Sequence, residues 1–600
     1  MINSELKSLL GSIVENLPSD WTRLTTHRLD IYNESLAKVE FIAELEQLKE
    51  ITKEGLESLP TAYDYIRLGH PLSSVLEWAI AKTNQLTPES VIAFSSQTMP
   101  LLALLRRNLF LKKKTRLISV DPLPECLDQS VLKEVYNYQL EVLDSADPKV
   151  KAPFEGSTVV VKNFNSSSTV KGDFTLNLYD RFGSIIEAND PEYIKEIQHV
   201  RRRESIAMTP QDSLKAIHLL LGSEAEEEKT SDPTALNQTI KEITVSATDA
   251  ALGSCGLSVQ YATMMGLIHH AKVNHPKKNI SFIVPPNCYG GTNDQARRVA
   301  ACLESVEIID LPVDSGKNMV DELDRILKDC AQEDSVPYII AEIPTNPRVE
   351  IPDLIKLQEV LKSSRKTKNS QEAVAPVFIL DQTFCPNVKF FGPNGYLNES
   401  KVISYVSGSK FPSGGLCTAG YAVANELAKE YMPFVSDHLS LCDNQATNQQ
   451  IQILTREMPS MNERIAAAYK NTRAFVDHIE KALPNAKINF VSQELADATF
   501  TPSVFSLDLP TKGDSAKEKE DYKRELNHRL IKMMIEGIPS ESKHCVSYGQ
   551  LKGCYWTVPA TSTQGTTKES DKDYIVRVSV AADFNLQKHC EIFDQFVATL

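Results

Sequence analysis

The segment VISYVSGSKFPSGG (residues 402–415) runs from a β-branched stretch into small hydroxyl residues, then a lysine, then a pair of glycines. A strand that ends in such a turn presents Lys410 beyond the carboxyl end of a sheet. A lysine amine can hold an aldehyde covalently, and its pKa falls readily when it is buried or set beside another cation. Serines next to it suit an anionic group such as a phosphate. The same pattern also describes an ordinary surface turn after a strand, so its meaning depends on the segments around it.

Outward from this segment, helical patterns alternate with short β-rich runs from about residue 240: ISFIVP (280–285), VEIIDLPV (306–313), PYIIAEIP (337–344), PVFILDQTF (376–384), KVISYVSGSK (401–410) and CTAGYAVAN (417–425). Near-continuous apolar strands separated by helices predict a mainly parallel sheet covered on both faces. After about 460 the pattern changes to a long helix (NERIAAAYKNTRAFVDHIEKAL), INFV, a charged helix over roughly 515–537, and strands at HCVSYGQL and YIVRVSVA. That order predicts a smaller α+β domain. Residues 1–60, with SLAKVEFIAELEQLKEI at helical spacing, predict a helical extension that packs on something else. SEAEEEKTSD (223–232) has the composition of a linker, and KSSRKTKNSQEA (362–373) that of an exposed loop.

A chain of 600 residues, 42% hydrophobic, is long enough for several globular cores. Its net charge of −15 argues against a nucleic-acid surface, which needs clustered Lys and Arg. The short runs Lys112-Lys113-Lys114 and Arg201-Arg202-Arg203 suit solvated faces. The eleven cysteines contain no C-x-x-C pair and no zinc-type spacing, so free thiols and no metal site are expected. The opening MINSELKSLLGSIVENL is acidic and helically periodic, unlike a leader, and no apolar stretch nears the ~20 residues of a membrane span. A cytoplasmic protein with no membrane partner is expected.

Ligands of open parallel sheets bind beyond the strands' carboxyl ends, near glycine turns that open helices. GSCGLS (253–258), followed by the helical run VQYATMMGLIHH, is such a turn, or else a plain helix cap. In NCYGGT (287–292) an aromatic ring precedes a tight turn and can lie flat on a heteroaromatic ring, or fill a core beside a loop. AEIPTNP (341–347) and ILDQTF (379–384) each place a carboxylate at the end of an apolar strand, which is costly without a positive partner. A protonated pyridine nitrogen is one such partner.

Taken in this order, over residues 253–410, the segments resemble those of the pyridoxal-phosphate enzymes of cysteine and methionine metabolism, the cystathionine synthase and lyase family of fold type I. GSCGLS is similar to that family's S-S-G-M-A turn, NCYGGT to L-Y-G-G-T, AEIPTNP to E-x-P-T-N-P, LDQTF to V-D-N-T-F, and SYVSGSKF to H-S-x-T-K-Y; the likeness runs from about 230 to 600. The resemblance implies pyridoxal 5'-phosphate as cofactor, with Lys410 as its Schiff-base lysine and later the carrier of the substrate's protons. It implies Asp381 on the pyridine nitrogen and Tyr289 stacked on the ring. It further implies the amides of Gly256 and Leu257 and the hydroxyls of Ser407 and Ser409 on the phosphate, and Asn346 close to the ring oxygen and substrate. VRVSV (576–580) resembles L-R-L-S-V, whose arginine, here Arg577, pairs with the amino-acid carboxylate, and Ser547 falls where the family has S-L-G-G.

Upstream, YIRLGHP (65–71) followed by LSSVLEWAIAK resembles Y-x-R-x-G-N-P-T-x-x-x-L-E-x-x-I-A, whose tyrosine and arginine reach the cofactor phosphate of the neighbouring subunit. That segment lies far ahead of GSCGLS, whereas SDPTAL (231–236) resembles the same motif at the family's spacing, with Glu227 and Lys229 in place of the tyrosine and arginine. VIAFSSQTMPLLALL (91–105) occupies a phosphate-turn position after Tyr65, and residues 183–222 resemble the helical stretch that follows the lysine. Tyr179-Asp180-Arg181-Phe182-Gly183 also fits Y-x-R-x-G, but its downstream context suits the post-lysine stretch better.

The expected organisation is a helical extension (1–60), a shortened, catalytically empty copy of the large domain (61–222), a linker (223–235), a cofactor-binding large domain (236–460) and a small α+β domain (461–600). Tyr65 and Arg67 would serve the Lys410 site within one chain, as an intrachain pseudo-dimer, or across a homo-oligomer. The plainer alternative is an N-terminal third that only covers the sheet. The implied reaction is β- or γ-elimination or replacement on a sulfur-containing or O-acylated amino acid, with Tyr289 or Tyr65 assisting the leaving group. Gly-Gly-Thr after Tyr289 favours a cystathionine γ-synthase-like activity, while Val546 and Gln550 around Ser547 depart from the family. A catalytically inactive or regulatory homologue acting as a binding scaffold is the alternative.

Overall fold

Three sheets organise the chain in the computed structural model, which describes residues 3–25, 34–63, 65–223, 230–313, 318–346, 348–544, 551, 553–559 and 574–600. The chain divides into two compact units, one of Met1–Thr230, Gly253–Met265 and Ser436–Asn448, the other of Ser231–Leu252, Gly266–Val435 and Gln449–Leu600.

The first unit is built on strands β1 (Val91–Phe94), β2 (Lys114–Ser119), β3 (Leu140–Asp144), β4 (Gly156–Asn163), β5 (Phe174–Leu178) and β6 (Ser184–Ala188), in the order β1-β6-β5-β4-β2-β3. β6 runs antiparallel to both β1 and β5, and the remaining pairs are parallel. The stretch 183–222, expected as helical, therefore begins with a strand and only then continues into the helices Pro191–Glu204 and Pro210–Leu221. The helix Pro71–Asn84 starts on a proline, whose missing N–H costs nothing at the first turn, and is capped by His70. Leu72, Val75, Leu76, Ala79 and Ile80 of this helix are buried, in one core with Leu6, Leu10 and Ile13 of the helix Ser4–Glu15 and Phe41 of the helix Glu34–Leu45. The N-terminal helices thus have a core to pack on. Glu77, fully buried, is neutralised by Lys38 at 2.6 Å and Arg201 at 2.7 Å, which makes its place in that core tolerable.

The second sheet comprises β7 (Ala251–Gly253), β8 (Ile280–Val284), β9 (Val306–Asp310), β10 (Val336–Glu342), β11 (Val377–Asp381), β12 (Lys401–Ser407) and β13 (Gly420–Ala424), ordered β7-β13-β12-β11-β10-β8-β9. β12, β11, β10, β8 and β9 are mutually parallel, and β13 is antiparallel to β12. β8 to β13 each fall on one of the apolar runs read from the sequence, trimmed where the chain turns away, whereas the short β7 lies on none of them. Numbered along the chain, the second sheet reads 1-7-6-5-4-2-3 and the first 1-6-5-4-2-3; deleting one central parallel strand converts the former into the latter.

Strands β14 (Lys487–Asn489), β15 (Val504–Asp508), β16 (Ser542–His544), β17 (Gly553–Pro559) and β18 (Tyr574–Ser579) form the third sheet, ordered β14-β15-β18-β17-β16. Its apolar face (Phe505, Leu507, Tyr555, Val576, Val578) shares a core with Phe475 and Ile479 of the helix Met461–Ala482, Leu526 and Leu530 of the helix Ala516–Gly537, and Phe593 of the helix Leu586–Val597. Among the described residues no helix is long and apolar enough to cross a membrane, and no cluster of three metal-type ligands occurs.

Candidate active site

Parallel register aligns three polar side chains at the carboxyl ends of neighbouring strands. Glu342 of β10 is paired with Asp381 of β11, and Asp381 with Tyr405 of β12. Paired residues of adjacent strands point to the same face, so two carboxyls and a phenol share one row. Asp381 accepts the Thr383 amide at 2.9 Å and a hydrogen bond from Tyr405, whose hydroxyl also meets Thr292 near the start of the helix Gly290–Ala301. Glu342 accepts the Tyr289 amide at 2.7 Å and the Asn346 amide at 3.2 Å. Burial, its largest influence, raises the pKa of both carboxyls, and the charge of Asp381 adds to the rise at Glu342.

Asn346 in turn accepts Arg577 Nη1 of β18 at 3.1 Å, both side chains being buried. Lys410, 5% exposed, lies in the turn that follows β12. That turn is tied down on several sides. The Ser407 amide donates to Thr383 Oγ1 at 3.0 Å, the Gly408 amide to the Ala419 carbonyl at 2.7 Å, and Arg464 to the Phe411 carbonyl at 2.6 Å. A side chain at Gly408 would come within 2.8 Å of Ala419 Cβ and 2.9 Å of its carbonyl carbon, and Gly414 and Gly415 take φ of 62° and 83°. These are the constraints behind the small residues flanking Lys410. Ser409 is buried beside it.

The second unit thus brings together Tyr289, Asn346, Asp381 and Arg577 through Glu342 and its neighbours, and carries Ser407, Ser409 and Lys410 on the adjoining strand end. Gly256 and Leu257 belong to the first unit, as do Tyr65 and Arg67. The Arg67 guanidinium stands over the Tyr65 ring at 4.8 Å, and Arg67 is buried. Ser547, Glu227 and Lys229 lie outside the described residues. Two participants were not assigned roles from sequence. Glu342 is visible there only as a strand-end acid, and Tyr405 becomes significant only once the register is known.

In the first unit two strand–turn–helix corners follow the same hydrogen-bond plan. After β1, the Ser95 amide donates to the Ile206 carbonyl at 3.2 Å, and Ser96 Oγ accepts the Met99 amide at 2.9 Å. After β7, the Ser254 amide donates to the Asn444 carbonyl at 2.8 Å, and Cys255 Sγ accepts the Ser258 amide at 3.3 Å. Gln97 therefore corresponds to Gly256. The Gln97 amide donates to Asp443 Oδ2 at 2.7 Å, so a carboxylate of the protein itself caps the first corner.

The residues of the second unit fit pyridoxal phosphate on structural grounds. Among the described residues Asp381 has no ion-pair partner, which leaves room for a cationic ring nitrogen, and a buried amine, that of Lys410, stands on the next strand end. No family model matches the chain, and no curated protein matches it. Solved structures of enzymes of cysteine and methionine metabolism do match. A methionine gamma lyase from Micromonospora echinospora is 16% identical, with 61% of this chain and 87% of that chain covered and a TM-score of 0.45. Cystathionine gamma synthase from Xanthomonas oryzae pv. oryzae, in complex with aminoacrylate and cysteine, is 16% identical over 61% and 86% at 0.43. Cystathionine gamma-lyase from yeast is 15% identical over 65% and 85% at 0.45.

Proposed function

We propose that the chain is a pyridoxal-phosphate-dependent enzyme that eliminates or replaces a β- or γ-substituent of a sulfur-containing or O-acylated amino acid, with cystathionine γ-synthase-like chemistry favoured. The observation that carries this reading is a strand-end Asp381 with no cation beside it among the described residues, one strand away from the turn that holds the buried Lys410.

When bound, the cofactor supplies an aldehyde for an amine and an electron-withdrawing ring next to the substrate's α-carbon. Lys410 would hold the aldehyde, and its free amine would accept the α-proton at Nζ and return it later. Asp381 keeps a negative charge facing the ring nitrogen, and Tyr405 and Thr383 fix its direction. Tyr289 would cover one face of the ring and would be the acid at hand for the leaving group. Arg577, steered by Asn346, takes the substrate carboxylate. Ser407 and Ser409 are the hydroxyl donors to the phosphate. The assignments of Gly256, Leu257, Tyr65 and Arg67 to that phosphate, of Tyr65 as alternative acid, and of Ser547 to the substrate rest on motif resemblance.

We also propose that residues 61–222 are a shortened copy of 236–460. Two observations support the duplication: the strand order that differs by one central strand, and the matching corners after β1 and β7.

Incubating the purified protein with cystathionine, cysteine, methionine and O-acylhomoserine, and assaying keto acid and thiol, tests the activity and separates elimination from replacement. Turnover of at least one is expected. A colourless protein that cannot be reconstituted and turns over none of them supports a binding scaffold instead.

A further inference from the structure

Glu342 connects the two segments that carry the ring-stacking and substrate-steering residues. Its Oε1 takes the backbone amide of Tyr289 at 2.7 Å and its Oε2 that of Asn346 at 3.2 Å. Neither amide belongs to a strand ladder. The Tyr289 amide is at the cap of the helix Gly290–Ala301, and Asn346 lies in the turn after β10. Asn346 then contacts Arg577, so a single chain of hydrogen bonds runs Tyr289, Glu342, Asn346, Arg577. Glu342 is itself 8% exposed and anchored in the buried end of β10.

We infer that Glu342 is a positioning residue, whose two oxygens lock the backbones of Tyr289 and Asn346 in register with Asp381. The requirement for two acceptors explains a carboxyl here. A glutamine amide has one acceptor oxygen, and its NH₂ would confront one of the two backbone N–H groups. An unpaired buried N–H is expensive, so that segment would move. The roles given to Tyr289 and Asn346 rest on the function proposed above, whereas the locking of their amides does not.

Hydrogen exchange by mass spectrometry on the intact chain tests the locking without cofactor. In the wild type the amides of Tyr289 and Asn346 should exchange slowly. Glu342→Gln should speed at least one of them by about tenfold or more, the value of one lost buried hydrogen bond, with β8 and β11 unchanged. Should Glu342→Gln not fold, Glu342→Asp, one methylene shorter, should show the same local acceleration to a lesser degree. Rapid exchange at both amides in the wild type, or unchanged exchange in a folded Glu342→Gln chain, would overturn the inference. In the cofactor-loaded protein the visible circular dichroism band, which reports how the ring is held, should fall by about half or more in Glu342→Gln. An unchanged band overturns the link to the site. A wild type that takes up no cofactor contradicts the proposed function and leaves the exchange result to decide the locking.

Discussion

The backbone amide of Gln97 donates a 2.7 Å hydrogen bond to the carboxylate of Asp443, residues 346 positions apart in the chain. In the neighbouring corner the corresponding residue is Gly256, which the motif resemblance gives to a phosphate. The capped corner follows β1, in the half of the sequence that has no lysine of the Lys410 kind. If the proposed duplication holds, an internal carboxylate stands where the other copy would draw a phosphate oxygen.

Burial pushes the Asp443 carboxyl up to about 6, against the pull of the Gln97 amide. The folded chain therefore binds a proton that the unfolded chain releases near pH 4, and stability falls as pH rises from about 4 to about 6, by on the order of 3 kcal/mol at most. Asp443→Asn keeps an acceptor for the amide and removes the titration. In melting temperatures of wild type and variant compared from about pH 3 to 7, the wild type should fall more steeply between about pH 4 and 6, the two curves running parallel below and above that window. Curves that stay parallel between about pH 4 and 6 would contradict the assignment.

Arg106 and Glu204 form a fully buried ion pair in the first unit, with Tyr261 as a third member at 3.1 Å from the guanidinium. Removing one charge leaves the other stranded, so Glu204→Gln should destabilise the unit by about 3 to 5 kcal/mol, visible as an earlier denaturation transition. Replacing both residues with apolar ones of similar volume should recover much of that loss. A neutral Glu204→Gln would mean that the pair is not desolvated as described.

Arg67 is buried against the Tyr65 ring, and the motif resemblance ties this tyrosine–arginine pairing to a cofactor phosphate. Arg67→Ala should weaken cofactor retention by about tenfold or more, the scale of a charge-assisted hydrogen bond, measured by equilibrium dialysis. Arg67→Lys should recover part of it. Unchanged affinity would remove Arg67 from the cofactor site.

How far the structure was legible varied along the chain. Strands β8 and β10 to β13 of the second sheet stand out as near-continuous apolar runs because both of their faces are covered, and β10 to β12 end where a carboxylate or a small-residue turn interrupts the run. In the first unit, KTRLIS, FTLNL and SIIEA are short and partly polar, and SIIEA leads directly into a helix. Such runs cannot be told from helical segments by periodicity alone. Their identity depends on partners distant in sequence, such as the pairing of β6 with β1. Lys410, Asp381 and Arg577 could be singled out as candidates because a side chain's chemistry marks them. Glu342 was not, because it acts on backbone amides, which leave no trace in a pattern of side chains. Asp443 was hidden for the same reason.

Borohydride reduction followed by peptide mapping addresses the central claim most directly. The purified, reconstituted chain should have a visible absorption band that reduction abolishes, with the cofactor left covalently on the peptide containing Lys410; Lys410→Ala should carry no such adduct. A label on a different lysine, or a wild-type chain that acquires no visible band, would contradict the account.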